Sequence, residues 1–156
     1  VTITVSIEDN SANASATAAS LVGATGIFTD NSHGLVVGDR LLFAFNTAPN
    51  ISSGSTDSAL LNTKIYYVQA ADTNTFKIAE TRSAGSPILF SSNGVSITYI
   101  KKAISDIVRD APVPVGGALK VIAGQKLVLE ASDKLYAHCS SANNVDVVAS
   151  VLADVS

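Results

Sequence analysis

The sequence predicts an all-β protein, and three observations carry that reading. Residues 1–7, Val-Thr-Ile-Thr-Val-Ser-Ile, alternate apolar and polar without a fault, the period of a strand with one buried face. Residues 64–68 are β-branched and aromatic, residues 70–74 are short and polar, and Phe76 and Ile78 then alternate with Lys77. Strand, tight polar turn and alternating strand make a hairpin. Finally, no segment has the length of a normal amphipathic helix, while short strand-like runs recur to the end of the chain.

Taken in order, the first strand ends at Glu8, Asp9 and Asn10. Residues 11–20 hold Ala, Ser, Thr and Asn; their hydroxyls compete for backbone bonds, which favours loop over a weak helix. Leu21-Val22 and Ile27-Phe28 flank Gly23 and Gly26, which reads as two short strand pieces with a kink. Gly34 and Gly38 bracket an apolar run, and Gly38-Asp39 is a turn feeding a strand from Leu41 to Phe45. Residues 46–54 are rich in turn formers. Ser55, Thr56, Asp57 and Ser58 place capping side chains ahead of one apolar turn, which reads equally as a short helix or as loop.

Beyond the hairpin and a loop over residues 81–87, Ile88-Leu89-Phe90, then Ser91 to Gly94, then Val95 to Ile100 read as strand, turn and strand. Pro112 and Pro114 place their segment at an edge or crossing. Residues 125–130 read as a strand, Ser132-Asp133 as a turn, and Leu135, Ala137 and Cys139 share one face of the next strand. The last strand, residues 145–152, is apolar on both faces.

Composition excludes several classes. Hydrophobic residues make up 47% of the 156 and charged residues 15%, which opposes disorder. So low a charge fraction also suggests a surface partly covered by partners. A net charge of −3 and a single adjacent basic pair, Lys101-Lys102, oppose nucleic-acid binding. One Cys and two His build neither a disulfide framework nor a usual zinc set. The apolar runs are too short to span a bilayer, so no membrane partner is expected. No signal segment opens the chain, and a first residue other than Met implies a processed or trimmed start.

Candidate chemistry is sparse. His33 has Asp30 and Asp39 as its near carboxylates, at spacings that match no ligand or dyad motif, and reads as a turn-packing residue. His138 and Cys139 are adjacent on a strand, so they point to opposite faces and cannot act as base and nucleophile together. Cys139 reads as a small buried residue. Asp30, Asp39, Asp57 and Asp72 fit no calcium loop and read as turn aspartates. Tyr66, Tyr67, Tyr99 and Tyr136 sit among apolar neighbours, as core or interface, with a sugar-binding face as the rival reading. Lys101-Lys102 reads as a solvated pair, and Gly116-Gly117 as a turn. No catalytic residue, cofactor or metal site is expected.

Two resemblances add to this. Residues 31 to about 99 resemble the small β-barrel module first described in the ubiquitin-activating enzymes, which recurs in phage virion proteins. The matching residues are His33-Gly34, Gly38-Asp39-Arg40, Tyr66-Tyr67-Val68, residues 74–78 and Gly85-Ser86-Pro87-Ile88. These are structural positions, and nothing else of a ubiquitin-activating enzyme is present. Residues 109–114, 127–133 and 145–152 resemble the C-terminal half of small tailed-phage virion structural proteins, in which an alternating strand like residues 2–9 precedes such a run.

Together the resemblances imply a discontinuous β-sandwich from residues 1–10 and 101–156, with a small β-barrel inserted over residues 20–100. They imply a non-enzymatic phage structural protein located in the virion. It would be a capsid decoration or cement protein, or a neck or tail accessory, that contacts other virion proteins and forms homo-oligomers. Small size and sparse charge lean toward decoration. The alternative is a receptor- or glycan-binding module on the virion surface, which exposed Tyr66, Tyr67 or Tyr136 around a groove would favour.

Overall fold

The computed structural model describes residues 1–82, 85–121, 127–140 and 148. The chain is all-β and divides into two compact units: Ser11–Ala103, here the inserted unit, and Val1–Asn10 with Ile104–Ser156, here the terminal unit. Lys101 and Lys102 complete a strand of the inserted unit, so its boundary lies at Ala103.

The terminal unit begins with β1 (Thr2–Glu8), the alternating stretch. The inserted unit follows with β2 (Thr17–Ala18), β3 (Ser20–Val22), β4 (Ile27–Thr29), β5 (Arg40–Ala44) and β6 (Ile51–Ser53). It continues with β7 (Ile65–Ala71), β8 (Thr75–Ala79), β9 (Leu89–Phe90) and β10 (Thr98–Lys102). The chain then returns to the terminal unit with β11 (Ile104–Pro112) and β12 (Lys134–Cys139).

In the inserted unit the main sheet runs β2-β10-β5-β7-β8-β4-β3. Its first and last strands are separated by Ala19 alone, whose N–H donates to Ile97 O at 3.0 Å. One short extended segment thus pairs with β10 at one end and β4 at the other. The two ends of the sheet order are thus joined through one short segment.

Alternation decides what this sheet encloses. Leu41 and Phe43 of β5, Tyr66 and Val68 of β7, Phe76 and Ile78 of β8, and Tyr99 of β10 are all buried. Phe28 is the centre, with its ring 5.2 Å from Phe43, 5.2 Å from a stacked Phe76 and 5.8 Å from Phe90. Such pairs add to area burial. Phe90 comes from β9, which pairs with β6 in a separate two-stranded sheet.

The predicted hairpin is β7 and β8, and the Gly23 and Gly26 kink is a 3₁₀ turn between β3 and β4. Three local readings are settled. Residues 55–61 form no helix: Ser58 O accepts from Ile51 N, and Leu60 N donates to Pro49 O, so these groups are unavailable to a helical turn. The strand, turn and strand read over residues 88–100 contain β9 and the start of β10, which do not pair with each other: β9 joins β6 while β10 lies between β2 and β5. Residues 127–130 are not a strand; Glu130 N donates to Asp133 Oδ2 and Asp133 N to Glu130 O, which closes a turn there.

In the terminal unit the described strands form one antiparallel sheet, β11-β1-β12. The prolines fall as expected, with Pro112 ending β11 at the sheet edge. Apart from Val148, the expected strand over residues 145–152 lies outside the described residues, as do residues 83–84, 122–126 and 141–144.

Candidate interaction surface

The candidate residues of the inserted unit are held in closed pairs. The ring of His33 packs edge-on against Phe76 at 5.3 Å. Its Nδ1 accepts the Leu35 N–H at 2.9 Å, so Nε2 carries the proton and donates to Thr75 O at 3.2 Å. This is a turn-packing histidine with both nitrogens occupied. Asp72 accepts from the N–H groups of Asn74 and Thr75 and from the Thr75 hydroxyl. These bonds hold its carboxyl below the ordinary range.

Tyr99 Oη donates to Asp30 Oδ2 at 2.6 Å. Burial first, then that hydrogen bond and the Asp30 charge, push the phenol well above its ordinary range. Asp39 caps its own turn through the Val36 N–H and also receives Lys101 Nζ at 2.7 Å. Lys101 is therefore an ion-paired residue, which corrects the reading of a solvated pair.

The densest ionic group was not singled out by spacing. Lys64 Nζ lies 2.7 Å from Asp57 Oδ2 and 2.7 Å from Glu80 Oε1, and the Ser55 hydroxyl donates to the same Glu80 oxygen. Burial alone lowers the Lys64 ammonium, but the two carboxylates outweigh it and the group is raised. Burial raises Glu80, and hydrogen bonds from Lys64 and Ser55 overcome that and lower it. Chemically this is a clasp that ties the 55–64 loop to the end of β8. A depression of about 330 Å³ lies between residues 18–21 and 93–97 and is lined by no charged side chain. Among the described residues no group of three or more His, Cys, Asp or Glu could hold a metal. No described helix is long and apolar enough to cross a membrane.

The tyrosines divide. Tyr66 is fully buried, and its oxygen accepts from Leu61 N at 3.0 Å. Tyr67 lies under the Arg40 guanidinium, 5.8 Å from the ring centre. Tyr136 is the partly exposed one, in the terminal unit, and donates to Glu8 Oε2 at 2.5 Å. Burial, then the bond to Glu8 and its charge, push Tyr136 up to about 12.

The sheet of the terminal unit has two unlike faces. Cross-strand partners share a face. The register places Ala111, Ile3 and Cys139 in one row, Val108, Val5 and Ala137 in the next, and Ser105, Ile7 and Leu135 in the third. The opposite face is polar: Ser6 Oγ donates to Asp106 Oδ1 at 2.8 Å, Asp110 N to Thr4 Oγ1 at 3.1 Å, and Tyr136 to Glu8. On the apolar face Ile3 and Val5 are 9% and 8% exposed, whereas Leu135, one strand over, is 41% exposed. Val115, Leu127, Val128 and Leu129 are also exposed. The sequence had placed Leu135, Ala137 and Cys139 on one face. That this face continues the buried row of β1 depends on the pairing of β1 with β12, which local pattern does not contain.

Compared with known families, curated proteins and solved structures, the chain finds no match.

Proposed function

We propose that this chain is a structural protein of a tailed-phage virion, non-enzymatic, acting through protein–protein contact. It would serve as a capsid decoration or cement component or as a neck or tail accessory. The observation that carries the reading is the half-covered apolar face of the terminal sheet, where a buried row on β1 continues into an exposed row on β12. Exposed apolar surface of that kind marks interaction sites. The reading is further supported by the two resemblances and by the sparse charge. Lys64, Asp57, Glu80, Tyr99, Asp30 and His33 of the inserted unit are engaged with one another or with backbone. Mass spectrometry and electron density of purified particles test it. The chain should be present in a fixed, symmetric copy number, and its absence from intact particles rejects the reading. The glycan-binding alternative asked for exposed Tyr66, Tyr67 or Tyr136 around a groove; Tyr66 is buried, Tyr67 half-buried and Tyr136 exposed, and the depression between residues 18–21 and 93–97 is lined by none of them.

A further inference from the structure

We infer that His33 is an acid-operated latch on Leu35: the neutral ring holds Leu35 in the core, and a second proton on the ring releases it. The device belongs to the inserted unit alone and does not depend on the virion reading.

Two backbone groups with fixed roles set the state of the ring. The Leu35 N–H can only donate, and it lies 2.9 Å from Nδ1. The Thr75 carbonyl can only accept, and its oxygen lies 3.2 Å from Nε2. A neutral imidazole with its hydrogen on Nε2 satisfies both at once. An imidazolium carries hydrogen on both nitrogens, so Nδ1–H would face the Leu35 N–H and that bond is lost. The bond to Thr75 survives, because Nε2 donates in either state.

The groups around the ring decide which side opens. From β8 come Thr75 and the edge-on ring of Phe76, both uncharged. From the β7–β8 turn the Asp72 carboxylate acts on the ring. Hydrogen bonds from Asn74 and Thr75 hold that carboxyl below its ordinary range, so it keeps its charge in mild acid. On the histidine's own segment, Asp30 takes the Tyr99 hydroxyl, and Asp39 takes the Val36 N–H and Lys101. An imidazolium therefore stays on β8, drawn by Asp72, and the residues after it move.

The backbone there is arranged for such a motion. Ser32 and Gly34 flank the ring at φ 57° and 64°. A left-handed serine persists only where its surroundings fix it, here through its N–H to Asn74 Oδ1 at 3.1 Å. Gly34 carries no such strain, and a Cβ there would meet nothing within 4 Å, so it is a free hinge. Beyond the hinge Leu35 is buried in the core cluster, whereas Val36 and Val37 are 61% and 62% exposed. Freed, Leu35 joins them as three consecutive apolar side chains at one tip, a larger adhesive spot than the neutral form presents.

The test uses the full chain and needs no partner. Nitrogen-15 shifts of the His33 ring at about pH 7.5 should show hydrogen on Nε2 alone. Protection of the Leu35 amide against exchange is taken relative to an unstructured chain at the same pH. It should fall by about 3- to 10-fold between about pH 7.5 and about pH 5, the loss of one hydrogen bond. The Gly38 amide, bonded to Val68 O, should keep its protection. His33→Gln offers one acceptor and one donor at every pH, so Leu35 protection should no longer depend on pH. His138→Gln should leave the wild-type step in place.

Hydrogen on Nδ1 of the neutral ring overturns the inference, as does Leu35 protection that stays level as the pH falls. A step that survives His33→Gln assigns the change to a carboxylate and overturns it equally.

Discussion

The two units use the same strands to opposite ends. The inserted unit rolls its sheet until the last strand meets the first and gathers fourteen buried hydrophobic residues into one cluster. The terminal unit keeps its described sheet open, and there only Ile3 and Val5 are buried hydrophobics. Both are built on period-two alternation. The difference teaches that alternation supplies an apolar face, and that closure decides whether the chain itself covers it.

The sharpest way to break this contrast is to cut into each core. Phe28 contacts three other rings, and Phe28→Ala should cost the inserted unit about 3–5 kcal/mol. Val5→Ala, which removes two methylene equivalents from the thinner sheet, should cost about 1.5 kcal/mol. Urea unfolding followed by circular dichroism should show each substitution moving a separate transition. Equal costs, or one shared transition, would mean that the two units do not hold independent cores.

Next in size is a backbone test within the closed unit. Gly26 sits at φ 63° after the 3₁₀ turn, and a Cβ there would stand 2.2 Å from Ile88 O. Gly34 has almost the same φ, 64°, with nothing within 4 Å of a Cβ. Both alanine variants bear the left-handed strain of about 1–2 kcal/mol. Gly26→Ala should lose more than Gly34→Ala by thermal unfolding, because it alone must also displace Ile88, which is packed in the core. Equal losses would show that the contact between the β3–β4 turn and Ile88 gives way freely.

These elements also show what the sequence carried. The β1 alternation, the β7–β8 hairpin and the Gly23 and Gly26 kink were legible, because period and turn chemistry are local. The β6–β9 sheet was not, since Ile51 meets Phe90 with β7 and β8 between them in the chain. Residues 55–61, which read equally as a short helix or as loop, are decided by distant partners: Ser55 does cap the Asp57 N–H, but the backbone beyond it is committed to residues 49–51. For the candidate surface, the shared face of Leu135, Ala137 and Cys139 could be read directly. Its place beside the buried row of β1 could not, because β1 lies at the opposite end of the chain.

Alkaline titration compares the units through their tyrosines. Tyr66 and Tyr99 in the inserted unit are raised, chiefly by burial, and Tyr136 in the terminal unit is pushed up to about 12. A phenol raised on folding stabilises the folded state below its unfolded value near 10, and that contribution is lost as pH climbs through the folded value. Tyrosinate absorbance near 295 nm should therefore lag behind that of the unfolded chain, with stability falling above about pH 10. Glu8→Gln removes the charge facing Tyr136 and should advance one phenol alone. An unchanged titration would place the cause in burial and not in Glu8.

The smallest expected effect is at the Lys64 clasp, and its size bears on whether the closed unit depends on its core or on its ions. The three side chains are 32%, 28% and 18% exposed, so water screens the attraction. Lys64→Met should cost about 0.5–1 kcal/mol at neutral pH. Glu80 is lowered on folding, so its contribution is present above the unfolded carboxylate value near 4.3 and lost as pH falls through the folded one. Urea midpoints of wild type and Lys64→Met should thus differ at pH 7 and converge by about pH 3. A loss at pH 7 as large as that of Phe28→Ala would mean that ion pairing, and not the ring cluster around Phe28, keeps the inserted unit closed.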